Sequence, residues 1–123
     1  MLDLGIHMSG GSDAPCTWPD PFVGIYQACN HPVPGQSVTI PEALRMFTYE
    51  AARMGFDEKQ RGSLEVGKIA DMTVLSQNPL SMQPQQLLDL RAEKLILSGN
   101  EFMAGQTLGS LVVHGIRGTN KQR

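Results

Sequence analysis

Cysteine is scarce in this chain. Cys16 and Cys29 are the only two, thirteen positions apart, with neither a Cys-x-x-Cys nor a zinc-finger spacing of cysteine and histidine. That usage excludes a disulfide scaffold and a structural zinc knuckle, and two free or buried thiols are expected rather than a bridge. No apolar run approaches the roughly eighteen residues that a membrane span needs. The opening Met1-Leu2-Asp3-Leu4-Gly5 has no cationic start or apolar stretch of a secretory signal, which points to the cytoplasm. A formal net charge of −2 gives no electrostatic reason to expect nucleic acid or an anionic membrane as partner. Histidine is sparse too. His7, His31 and His114 are the three, and no two stand at ligand spacing. No internal repeat is found.

What remains is an ordinary globular composition, 41% hydrophobic and 18% charged over 123 residues, enough for one small domain with its own core. Residues 3 to 9 read as a short strand. The next loop, Gly10-Gly11-Ser12-Asp13-Ala14-Pro15, presents one carboxylate on a backbone loosened by glycines, and Pro15 forbids an immediate helix. Residues 14 to 38 are rich in proline and glycine, and a long irregular connection of that kind is usually functional. Within it, Phe22 to Ala28 reads as a turn or two of helix packed under the loop.

The clearest helix begins at Thr39-Ile40-Pro41-Glu42, a capping box with proline in the first turn. Ile40, Leu44, Phe47, Ala51 and Met54 form one apolar stripe, and Gly55 is expected to supply a left-handed C-terminal cap. Asp57 to Arg61 reads as a charged surface loop. The periodicity then turns strand-like: Met72-Thr73-Val74-Leu75 is a strand stopped by Asn78-Pro79. Gln85 to Leu90 is a short helix. Leu95 to Met103 is a hairpin turning at Gly99-Asn100. Leu111-Val112-Val113 is a last apolar run before a polar tail.

The segment Gly62-Ser63-Leu64-Glu65-Val66-Gly67-Lys68-Ile69-Ala70-Asp71-Met72-Thr73-Val74-Leu75 resembles the barrel-to-sandwich return of the amidohydrolase superfamily, in its large branch acting on C–N bonds. Thr48-Tyr49-Glu50-Ala51-Ala52 is similar to the Thr-x-x-Ala-Ala of the family's final barrel helix. The resemblance covers roughly residues 4 to 103. It implies an α/β fold plus β: the last strand–helix unit of a TIM-type barrel, followed by the C-terminal strands of a small β-sandwich. Residues 1–56 would be the barrel portion with its metal-binding aspartate loop, 57–117 the sandwich portion, and 118–123 a polar tail. An eight-fold barrel takes about 250 residues, so only its end can be present.

Under that resemblance Asp13 matches the aspartate after the last barrel strand, a metal ligand and proton shuttle. In such enzymes one or two divalent ions, usually zinc, polarise a water and the substrate carbonyl, and the aspartate moves the water's proton to the leaving nitrogen. From the residues alone, Asp13 also reads as the cap of a glycine-rich turn. The family's His-x-His pair, mid-barrel ligand and two later histidines are not found, so the isolated chain is expected to bind no metal and to be inactive. His7, inside the strand, reads as packed or edge-exposed, and His31 as a surface residue of the proline-rich loop. The resemblance implies that Asp71 is structural, tying its turn to neighbouring backbone amides, and Lys68 and Glu65 read as solvated. Trp18 either lines the pocket or covers it.

The expected function is thus that of the C-terminal fragment of a metal-dependent hydrolase of amide-like or cyclic C–N bonds. Its expected partners are a small-molecule substrate and either the missing barrel chain or a second copy. The rival is a non-catalytic remnant or interaction module.

Overall fold

The structure, a computed structural model, describes residues 4–103, so His114 and the 111–113 run lie outside the described residues. Three short helices come first. Helix α1 spans Pro21–Cys29, and its start is set by Asp20, whose carboxylate accepts from the Phe22 amide at 2.9 Å. Helix α2 spans Ile40–Met46, and the capping box forms: the Glu42 carboxylate accepts from the Thr39 amide at 2.7 Å, and the Thr39 hydroxyl accepts from the Glu42 amide at 3.4 Å.

The single long helix expected from the stripe is two. Helix α3 spans Tyr49–Met54, and Phe47 and Thr48 form the break. The Thr48 hydroxyl donates to the Leu44 carbonyl at 2.8 Å, taking the acceptor that its own amide would use; that amide turns to Arg45 O at 3.3 Å. Such back-bonding bends helices. The break re-aims α3, so Met54 is exposed rather than buried, while Ala43 and Met46 join the buried face. Gly55 is not left-handed: its φ is −83°, and the positive φ falls on Phe56 at 59°.

The core lies where α1 and α2 meet a 3-10 turn at Pro84–Asp89. Ile25, Cys29, Ile40, Ala43 and Leu87 are buried together, with Phe22, Val38 and Phe47 packed around them. Asn30 fastens the turn to α1 through its side-chain amide, which donates to Tyr26 O and Pro84 O at 2.9 and 3.0 Å. Burial holds the Cys29 thiol above its usual range, aided by the charge of Glu42, and both cysteines are free thiols.

Strands β1 (Met72–Leu75), β2 (Ala92–Leu97) and β3 (Asn100–Met103) form one antiparallel sheet in that order. Met72 opposes Ile96, and Leu97 opposes Asn100. The hairpin turns at Ser98-Gly99, one residue earlier than expected. Both have positive φ, 51° and 78°, as the two central residues of a type I′ turn require.

Residues 6 to 10 belong to no helix or strand among the described residues. A β-strand exists through its neighbour's hydrogen bonds, and here only Gly10 is tied, its amide donating to Met46 O at 3.0 Å. No second sheet faces β1–β3 among the described residues, which therefore show neither the closed barrel nor the sandwich.

Candidate active-site loop

Gly10 and Gly24 both abut the Phe47 ring so closely that a Cβ on either would overlap it. That contact seats the end of the 6–10 segment between α1 and the break after α2. Beyond it the chain leaves the surface. Asp13 to Trp18 are all exposed, Trp18 at 81%, and Asp13 has φ 53°. The loop is closed by its own backbone, Cys16 N donating to Asp13 O at 2.9 Å, and by the Thr17 hydroxyl donating to Ser12 O. The Asp13 carboxylate itself takes no hydrogen bond from a described residue. It does not cap its own turn.

The donor set around it is too small for a metal. A catalytic zinc takes three protein ligands, and no three of His, Cys, Asp and Glu gather among the described residues. The described residues do not by themselves fit the ion.

His7 is committed elsewhere. Its Nδ1 lies 3.0 Å from Glu50 Oε2 and its Nε2 lies 2.6 Å from Arg53 Nη1. The same Arg53 nitrogen lies 2.9 Å from Nδ1, so it rests against the ring between its two nitrogens. Glu50, which the sequence reading passed over, is the one buried charged residue among those described, 6% exposed, and Arg45 Nε donates to its other oxygen at 2.8 Å. Burial alone would push its carboxyl up. The hydrogen bonds and charges of Arg45 and His7 together outweigh that and hold it below the usual carboxylate range. A signal existed: Glu50 falls seven residues after Ala43 and four before Met54, an acid on the apolar stripe. His31 is exposed, its Nδ1 accepting from the Val33 amide at 3.2 Å.

Asp71 accepts from the Ser98 amide at 2.8 Å and pairs with Arg61, joining the entry of β1 to the β2–β3 turn. Lys68 is not solvated. Its side chain is 11% exposed, donates to the Ser63 hydroxyl, and lies 5.8 Å over the Tyr49 ring. Glu65 stays largely exposed, and the Ser63 hydroxyl, then Lys68, hold its carboxyl below the usual range. A groove of about 370 Å³ opens beside this turn, walled by Phe22 and Ile25 of α1, Phe47, Leu64, and Met72 and Leu75 of β1. It is apolar, and neither Asp13 nor Trp18 lines it.

Residues 1–102 match the sequence model described as the amidohydrolase family. The chain belongs to this amidohydrolase family. YtcJ of Bacillus subtilis (strain 168) is 36% identical over 109 residues, which take in 80% of this chain and 21% of that protein. The N-substituted formamide deformylase of Arthrobacter pascens is 31% identical over 106 residues, 80% of this chain and 20% of that enzyme. The fold is similar to that of an amidohydrolase from Thermotoga maritima MSB8, with a TM-score of 0.64, 24% identity, and coverage of 84% of this chain and 24% of the other. This amidohydrolase chain therefore spans about a fifth of the length of the curated relatives it matches.

Proposed function

We propose that the chain is the C-terminal portion of a metal-dependent amidohydrolase acting on non-peptide C–N bonds, amide-like or cyclic, and that Asp13 is the metal-binding acid it contributes. Residues 1–56 belong to the barrel in this reading and 57–117 to the accessory sandwich. The remaining ligands come from outside the chain, and zinc is the metal the reading implies. The observation that carries it is the state of Asp13. Within a family match running over residues 1–102, its carboxylate stands exposed and without a hydrogen-bond partner among the described residues, on a loop anchored at Gly10 and Asp20.

The test supplies what is missing. Co-expression with a chain carrying the rest of a barrel is expected to give a complex that retains zinc by elemental analysis. That complex is expected to hydrolyse some member of a panel of amides, cyclic amides and N-substituted formamides. Asp13→Asn in that complex is expected to lower turnover about a hundredfold or more and to reduce retained zinc. Undiminished zinc and turnover in Asp13→Asn would remove Asp13 from the site. A complex without zinc or hydrolysis would favour the non-catalytic remnant.

A further inference from the structure

The loop that carries Asp13 is suspended rather than packed. From Asp13 to Trp18 no residue is buried, so the loop's placement depends on the posts at its two ends. The downstream post is Asp20 at the start of α1. The upstream post is unusual, because residues 6 to 10 have no strand partner among the described residues and are not held by a ladder. They are held at two points. Gly10 is bonded to Met46 O and seated on Phe47. Three residues earlier, His7 reaches the buried Glu50 at 3.0 Å and Arg53 at 2.6 Å. One attachment leaves a segment free to pivot, whereas two fix its direction as well as its position. Glu50 is costly to bury and is ionised between Arg45 and His7, so the arrangement stands only with its partners in place.

From this geometry we infer that Glu50 is a positioning residue: through His7 it clamps the segment bearing Asp13 onto α2 and α3. That the positioned group serves a metal rests on the proposed function; the clamp rests on contacts alone, and its test uses no metal.

The experiment is backbone ¹⁵N relaxation on the 123-residue chain. Wild type is expected to show order parameters near 0.85 at Ile6 to Gly10 and ordered amides at Gly11 to Asp13. In His7→Ala and Glu50→Gln the values at residues 6 to 13 are expected to fall below about 0.6, with Ile25 of α1 and Ile96 of β2 unchanged. His7→Asn places an amide donor where Nδ1 stands and is expected to restore the order that His7→Ala loses. His7 is half exposed, so its variants fold even should Glu50→Gln not. The inference is overturned if His7→Ala leaves residues 6 to 13 as ordered as wild type. It is equally overturned if the loosening extends evenly to Ile25 and Ile96, or if His7→Asn fails to restore what His7→Ala removes.

Discussion

Gly62 has a φ of +87°, and a Cβ placed on it would stand 2.7 Å from the Ala52 Cβ and 3.0 Å from the Tyr49 Cα. Both faults are in hard atoms, so the turn from α3 toward β1 runs close to that helix only because the methyl is missing. Gly62→Ala is expected to cost about 1–3 kcal/mol, read as a lower urea midpoint. Gly11→Ala, where a Cβ would meet nothing within 4 Å, is the control and is expected to stay within about 0.5 kcal/mol of wild type. At this scale the sequence is legible where chemistry is local. The Thr39–Glu42 capping box needs residues three apart and nothing else, and it forms as read. The place of Glu50 on the stripe hints at its burial, but its partners are opaque, since His7 and Arg45 meet it only once the helix has broken and residues 6 to 10 have been laid across it.

Among the elements, the four residues Met72–Leu75 form the strand their β-branched and apolar run indicates, and Asn78-Pro79 ends it. The α2–α3 break escaped the stripe, since periodicity counts apolar positions and not the hydroxyl of Thr48, which withdraws a carbonyl from the helix. The hairpin slipped by one residue for a related reason: Gly99-Asn100 and Ser98-Gly99 are both acceptable turn pairs, and the second lets Asp71 hold the Ser98 amide at 2.8 Å. That tie gives an element-scale prediction. Asp71→Ala leaves the Ser98 amide without its acceptor and Arg61 without that partner, and with both exposed to water is expected to cost about 0.5–1.5 kcal/mol. The check is a double comparison: the urea midpoint falls, and amide exchange rises at Ser98 and along β3 while α1 keeps its protection.

At the scale of the molecule, three carboxyls among the described residues are held below their ordinary range in the folded chain. Glu42 is lowered by the hydrogen bonds from Thr39, Glu65 by the Ser63 hydroxyl and then Lys68, and Glu50 by Arg45 and His7 against the opposing effect of burial. A lowered folded-state value means that the unfolded chain takes up these protons first as pH falls. The stability they contribute is complete above about pH 4.3, the ordinary glutamate value, and is lost as pH drops through the lower folded-state values. Urea midpoints are expected to be level from pH 6 to 5 and to fall below about pH 4. Glu50→Gln is expected to flatten part of that fall while starting from a lower midpoint. A midpoint that rises on acidification would contradict the sign.

Sequence by itself determined what short-range covalent order can dictate: the capping box, the β1 strand with its stop, the proline-rich connection, and an acid set on a glycine-rich loop. Those follow from hydrogen bonds and dihedral preferences among residues a few positions apart. Tertiary structure alone decided which charges are buried and which surfaces meet. It put Glu50 under His7, Lys68 over Tyr49, and Phe47 between two glycines, because desolvation and close packing depend on neighbours that the chain brings together only after it has turned back on itself.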